Sequence, residues 1–505
     1  MGSHAEQGPV DDRGRAAATA PPAPPSGRFD DVARLRAAID AAGFTAAAVR
    51  QALHADADLL STPQDAVVNE RRLAGAPPEL ATVIRLFVLE LPVPADDADR
   101  ALAGAGAEAL VDLGLAAEGD GLLHRAVRLV PHDHLLVASD EPGTGGANQV
   151  PGVQRPSAML AALTVRRPVT SALDVATGCG IQALLIAPHA ERVVATDVNE
   201  RALAFAEFNA ALNGIENVEL RAGSFFEPAA GERFGLVVCN PPYVISPESA
   251  LVFRDSGLPG DTVSAQLVVE LPAYLEEGAF GTILVSWVAG EDPTVRPRAW
   301  LEGHDCDAWI LHTATDDPIK AATQWNRALD GTPGEFAQRV DAWLDYYAAL
   351  GIEAIAYGAV VLRRRGGGGN WTRMAELPAS RPRAASDHLL RLFAAQDLLA
   401  ATPDDALLDM RFTLVDRARF DRTARVESGR WIEDSAAVRL AEGIELGVEL
   451  DRYGSVLVRA LDGGEPLRSR LPAFAEELGV PESDLAGFGV RLLRHLVEHG
   501  LAVAS

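Results

Sequence analysis

Short runs of apolar residues, each ending in a polar or glycine-rich turn, mark the middle of the chain from Ala172 to Pro247. Leu173 to Ala176 leads into Thr177-Gly178-Cys179-Gly180, Val193 to Thr196 into Asp197, and Leu236 to Cys239 into Asn240-Pro241-Pro242-Tyr243. Continuous apolar runs of this length suit strands buried on both faces. Between them Ile181 to Ala187 and Glu200 to Leu212 carry apolar residues at helical spacing. The same reading predicts strands over Val218–Ala222, Gly281–Val288, Asp307–His312 and Ile352–Leu362, and a helix over Val263–Leu275. Strand and helix in alternation predict an α/β, Rossmann-like parallel sheet whose carboxyl edge presents a ligand site.

The flanks follow another pattern. Helical spacing over Asp31–Leu53, broken at Gly43, predicts two short helices. Leu80–Leu91 reads as a helix stopped by Pro92, and Ala95–Leu113 as two helices separated near Gly104. Strands over Leu122–Val130 and His134–Ala138 then complete a winged-helix-like unit. Glu141–Pro156, rich in Gly and Pro, reads as a hinge before a helix near Ser157. A helical insertion at about 318–350 carries Trp325, Trp343, Tyr346 and Tyr347, aromatics at helical spacing that are read as core. Arg363-Arg364-Arg365 before Gly366–Gly369 reads as a solvated domain end and a flexible connector. The rest is mixed and closes on helices over Ser455–Leu461, Pro466–Leu478 and Glu482–His499, again winged-helix-like. The expected organisation is therefore a disordered or tag segment 1–28, an N-terminal helical domain 29–140, a central domain 141–365 and a C-terminal domain 366–505.

Length and charge constrain this picture. A chain of 505 residues exceeds what one core supports. The net charge of −26 disfavours nucleic acid as a partner, and Asp96–Asp112, which would face DNA in a winged helix, carries mostly Asp, Ala and Leu. No apolar run is long enough for a membrane span. Cys179, Cys239 and Cys306 lack metal-ligand spacing, so no metal site is expected. Reduced thiols and the absence of an apolar N-terminal region point to a cytoplasmic protein, and Met1-Gly2-Ser3-His4 looks like an expression scar.

The chemistry lies at the ends of the central strands. Asp174, Gly178 and Gly180 form a turn between strand and helix where backbone approaches a ligand closely. Ala183 stands where a dinucleotide fingerprint has its third glycine, and alanine is tolerated there, so spacing alone leaves a nicotinamide cofactor open. Asp197 ends the second strand, placed either to accept from a ribose diol or to serve the following helix as an N-terminal acid. Asn240-Pro241-Pro242-Tyr243 favours methyl transfer to a planar nitrogen over hydride transfer. The lone pair of such a nitrogen is delocalised. Donating its N–H groups to the Asn240 side-chain oxygen and the Pro241 carbonyl localises that pair, while Tyr243 stacks on the planar group.

These residues, with Arg155-Pro156, Thr196 to Asn199, Ala202-Leu203, Asn209 and Phe226-Glu227-Pro228, resemble class I S-adenosylmethionine-dependent methyltransferases of the NPPY type. The chain is most similar to HemK-like protein-glutamine N5-methyltransferases, over less than a third of its length. The resemblance implies S-adenosyl-L-methionine as cofactor, held by Asp174, Thr177, Gly178, Gly180, Asp197 and Asn240. Ser224 would meet the adenine where the family has an acidic residue. It implies Asn240, Pro241 and Tyr243 as catalytic and Pro242, Tyr243 and Arg155 as substrate contacts. The implied acceptor is a glutamine-like amide of a protein or peptide. An exocyclic amine of adenine or guanine, a small-molecule natural product, and an inactive cofactor-binding protein are the alternatives.

Overall fold

A computed structural model describes residues 23–25, 27–54, 63–141, 146–327, 329, 331–377 and 384–505. The expectation for residues 1–28 therefore falls mostly outside the described residues.

The central domain is built on one eight-stranded sheet: β1 (Val169–Val175), β2 (Ala190–Asp197), β3 (Val218–Ala222), β4 (Phe234–Cys239), β5 (Leu275–Val288), β6 (Cys306–Asp316), β7 (Ile355–Arg364) and β8 (Thr372–Glu376). Their spatial order is β3-β2-β1-β4-β5-β7-β6-β8. The first five in that order run parallel, and β7 lies antiparallel between β5 and β6. Chain order reverses between β1 and β4, which opens a crevice at their carboxyl ends. Register aligns those ends, because Val175 is opposite both Thr196 and Cys239. Thr177, Asp197 and Asn240 consequently leave the sheet side by side.

Helices α1 (Arg155–Leu163), α2 (Ile181–Ile186), α3 (Glu200–Leu212) and α4 (Thr262–Glu270) cover the sheet. The insertion is two helices, α5 (Pro318–Asn326) and α6 (Pro333–Ala349), the second begun by a capping box of Thr332 and Glu335. Trp343 and Tyr347 are fully buried with Val244 and Ile245 of the segment after β4, and the Tyr347 hydroxyl donates to the Ile245 carbonyl at 2.9 Å. The insertion thus fastens the loop that follows Asn240.

On the N-terminal side, helices Pro78–Phe87, Ala95–Ala101 and Gly106–Asp112 surround a small sheet of Val93–Pro94, Leu122–Arg125 and Ala116–Gly119. The single strand expected over Leu122–Val130 is divided. Ala126 and Val127 both donate their N–H groups to the Leu115 carbonyl, and the chain turns there into a second hairpin, Arg128–His132 with Leu135–Ser139. That hairpin lies on α3, where the Asn209 side chain bonds both the N–H and the carbonyl of Ala138. One apolar cluster runs from Val32 and Leu110 through Val137 to Phe205 and Leu212 of α3. The described ends of the stretch read as a hinge are fastened: the Asp140 N–H donates to the Val150 carbonyl, and the Asp140 carboxylate accepts from the Val150 N–H and pairs with Arg201.

The expected end of the central domain at Arg365 is also corrected. Asp307 is fully buried and needs cations, and Arg363 and Arg365 both bond its carboxylate at 2.6 and 2.8 Å. The arginines are therefore anchors, and after the glycines the chain returns as β8, parallel to β6. Arg363 also pairs with Asp397 on the helix Ser386–Ala401, joining the C-terminal region. That region adds a sheet of Ala418–Glu427, Arg430–Leu440 and Gly447–Leu450 and closes on helices Arg452–Leu457, Leu467–Leu478 and Glu482–Glu498. Among the described residues no helix is long and apolar enough to cross a membrane.

Candidate active site

The turn after β1 departs from ordinary backbone at three places, with φ of +58° at Ala176, +56° at Gly178 and +85° at Gly180. A side chain at Gly180 would put its Cβ about 3.0 Å from Ala206 on α3, so glycine lets the turn close against that helix. Beneath the turn Asp174 is buried, and its Oδ2 accepts from the Thr177 hydroxyl at 2.5 Å and the Ala183 N–H at 3.0 Å. Its Oδ1 is buried without a hydrogen-bond partner. Burial pushes the Asp174 carboxyl up to about 7 despite those bonds, and the charge of Asp197 adds to the rise.

This has a measurable consequence. The native state keeps a proton on Asp174 from about pH 4 to 7, where the unfolded chain has lost it, so native stability falls as pH rises through 7. Asp174→Asn removes this penalty. The variant should gain thermal stability relative to the parent between pH 5 and 8, in paired melting curves of the protein without ligand. A difference independent of pH would contradict a proton held at Asp174.

At the end of β2, Asp197 accepts from the Asn199 N–H at 2.8 Å and the Gly178 N–H at 2.9 Å, one on each oxygen. Each oxygen retains a lone pair for a donor in the crevice. Burial raises the Asp197 pKa, and the backbone bonds oppose the rise. Across the crevice the loop after β3 is held by the Thr196 hydroxyl, which donates to the Phe225 carbonyl at 2.9 Å. Phe225 has φ of +45°, an uncommon value for a bulky side chain, and it presents its own side chain and Ser224 to the cavity wall.

The opposite wall is the segment after β4. No group hydrogen-bonds the Asn240 side chain among the described residues, and that side chain lines the cavity. The Pro241 carbonyl already accepts from the Tyr243 N–H at 2.8 Å, leaving one lone pair. The Ser286 hydroxyl donates to the Tyr243 carbonyl and fixes this turn. Burial raises the Tyr243 phenol well above its ordinary value, so the ring stays neutral. Trp325 meets it edge-on, with centroids 6.5 Å apart, and donates its indole N–H to the Tyr357 hydroxyl at 3.2 Å. Nearby, Arg254 is buried between Asp255 and Glu248.

Thr177, Gly178, Asp197, Ser224, Asn240, Pro241, Pro242 and Tyr243 thus line one cavity. Asp174 and Gly180, expected to touch the cofactor, are not in that lining and lie at the base of the turn. Arg155 is exposed at the start of α1 and is not in the wall, whereas its neighbours Gln154 and Pro156 are. Sequence reasoning missed Gln182, Phe225, Arg254 and Trp325. Gln182, a lone amide in the apolar run of α2, was a usable signal: it is buried, donates to the Ser157 carbonyl at 2.7 Å and leaves its oxygen unpaired. Trp325 had none, because its spacing matches that of its core neighbours.

Asp197 is the one carboxylate among the described lining residues, and the one cation there, Arg254, is already paired with Asp255 and Glu248. With that single acceptor carboxylate at the end of β2, the crevice suits a cationic ligand bearing a diol, as S-adenosyl-L-methionine is. Among the described residues no cluster could hold a metal ion.

A family model described as a methyltransferase small domain matches residues 152–253, and one described as a domain of unknown function (DUF7059) matches residues 41–127. The chain is similar to the release factor glutamine methyltransferase of Xylella fastidiosa (strain Temecula1), 36% identical over 28% of this chain and 50% of that protein. It is also similar to the release factor glutamine methyltransferase of Escherichia coli (strain K12), 32% identical over 27% of this chain and 53% of that protein. The chain spans about half the length of these relatives. Among solved structures, the YcgJ protein of Bacillus subtilis aligns at 16% identity over 42% of this chain and 99% of its own, with a TM-score of 0.28. The strand order and the matched domain give the central region the Rossmann-like fold of class I methyltransferases. The match includes the cavity residues from Gly178 to Tyr243 and excludes the insertion that carries Trp325.

Proposed function

We propose that this chain is an S-adenosyl-L-methionine-dependent N-methyltransferase acting on the side-chain amide of a glutamine in a protein or peptide. The observation that carries the reading is the Asn240 side chain, without a hydrogen-bond partner among the described residues, facing the same cavity as Asp197 and Gly178. Gly178 and Asp197 would hold the cofactor, with Thr177 and Ser224 beside it. When bound, the cofactor supplies an electrophilic sulfonium methyl group. The Asn240 side-chain oxygen and the free lone pair of the Pro241 carbonyl accept the two amide hydrogens and turn the nitrogen lone pair toward that methyl. Tyr243 and Trp325 bound the amide plane and exclude water, so positioning and desolvation supply the acceleration. No base is required, since the proton leaves after transfer.

The similarity to release factor glutamine methyltransferases supports a protein substrate, and three buried free thiols fit the cytoplasm. The test is incubation of the full chain with methyl-labelled S-adenosylmethionine and fractionated cell extract. Label in protein, recovered on glutamine after digestion, is the expected result. Label in RNA or small molecules overturns the glutamine assignment, and no label in any fraction overturns the enzyme itself.

A further inference from the structure

Far along the chain from the cavity-lining residues, four large apolar side chains stand exposed on one hairpin: Trp431 at 76%, Val426 at 59%, Phe420 at 42% and Ile432 at 41%. Its strands, Ala418–Glu427 and Arg430–Leu440, pair from Ala418 opposite Leu440 to Glu427 opposite Arg430, with a shift of register between Thr423 and Ala424 where the second strand carries the extra residue Asp434. Phe420 and Val426 alternate onto one face of their strand, opposite Val438 and Trp431, so Phe420, Val426 and Trp431 share the face that Val438 buries at the base, while Ile432, opposite Arg425, lies on the other. The C-terminal core therefore continues into solvent along this face. The second strand also pairs with Gly447–Leu450, whereas among the described residues Ala418–Glu427 pairs with nothing else. It is a free ten-residue edge, the kind of template that another strand extends.

The residues along that edge identify its occupant. Laid antiparallel against a copy of itself about a two-fold axis at Thr423, the strand places Arg419 opposite Glu427, Phe420 opposite Val426, Asp421 opposite Arg425, and Arg422 opposite Ala424. Each acid meets an arginine and each large apolar residue meets another. Because side chains alternate faces, the neighbouring symmetric registers lie one residue of axis shift away on either side. Centring on Arg422 sets Arg419 against Arg425 and Arg422 against itself. Centring on Ala424 sets Asp421 against Glu427. Like charges thus penalise both slips and select the central register.

We propose that Ala418–Glu427 is a homodimerisation edge, joining two copies through a continuous six-stranded sheet centred on Thr423. The inference is independent of the methyl-transfer reading.

Sedimentation velocity on the full chain tests it. The expected result is twice the chain mass. Asp421→Arg should weaken association on the order of tenfold or more, because it turns two attractive contacts into repulsive ones. Asp421→Arg combined with Arg425→Asp restores the pairing in reversed polarity and should restore the dimer. Thr423→Cys should form an interchain disulfide on mild oxidation, since directly opposed antiparallel residues lie within disulfide reach and the native cysteines are buried. Ser428→Cys, at the hairpin turn, should not. All four side chains are exposed on the hairpin, and matched circular dichroism spectra verify folding. A monomer mass throughout a concentration series, a dimer insensitive to Asp421→Arg, or a double variant that stays monomeric would each overturn the proposal.

Discussion

Asn240→Ala is expected to lower methyl transfer by roughly 10²–10³-fold, the cost of deleting one oriented hydrogen-bonding group at a reacting centre. Affinity for S-adenosylmethionine should change little. The reason is local. Among the described residues the Asn240 side chain has no hydrogen-bond partner, so its removal leaves no described group unpaired and the turn keeps its shape. That shape rests on the Pro241 carbonyl accepting from Tyr243 and on Ser286 donating to the Tyr243 carbonyl. Pro241 retains its carbonyl in the variant, but one acceptor cannot orient an amide that has two hydrogens. Single-turnover transfer and calorimetric titration with the cofactor separate the two quantities. Equal loss of both would remove Asn240 from the acceptor site and make it part of the cofactor cradle. Asn240→Asp keeps an acceptor but adds a charge beside Tyr243 in a dry wall, and it should retain only a small part of the activity.

How much of this was readable from the sequence depends on whether a feature is local. Leu173 to Val175, Val193 to Thr196 and Leu236 to Cys239 are buried on both faces, and their largely apolar runs announce strands directly. The turn residues after them are legible for the same reason, since each is fixed by the strand that delivers it. Asp174 shows the limit. A carboxylate ending an apolar strand reads as a ligand contact, yet packing sends it under the turn, where Thr177 and Ala183 take one oxygen. Trp325 fails in the opposite sense: on its helix it is indistinguishable from Trp343, and only the path of the loop after Asn240 makes one a wall and the other core. The boundary at Arg365 fails because the buried partner of Arg363 and Arg365, Asp307, lies more than fifty residues away. A run of arginines beside glycines carries no trace of it.

The complementary result is expected at Asp197. Replacing it with alanine should weaken cofactor binding by about 10²-fold while leaving single-turnover transfer at saturating cofactor nearly intact. Two charge-assisted hydrogen bonds to a ribose diol account for that size, at about 1.5 kcal/mol each at the low end. Alanine also strips the Gly178 and Asn199 N–H groups of their acceptor, which adds to the loss of affinity. Asp197→Asn separates these effects, because its side-chain oxygen can still accept from one of the two backbone donors and from a hydroxyl. It should lie between the parent and the alanine variant in calorimetry. The titration of Asp197 gives an independent check. Burial raises its pKa, so the carboxylate is neutralised at a higher pH than an exposed aspartate, and the neutral acid loses acceptor capacity. Cofactor affinity of the parent should therefore decline on acidification before the protein unfolds, and the decline should vanish in Asp197→Ala. Unchanged affinity in the alanine variant would rule out the ribose contact. It would also leave the Gly178 and Asn199 N–H bonds as the reasons for an acid at that position.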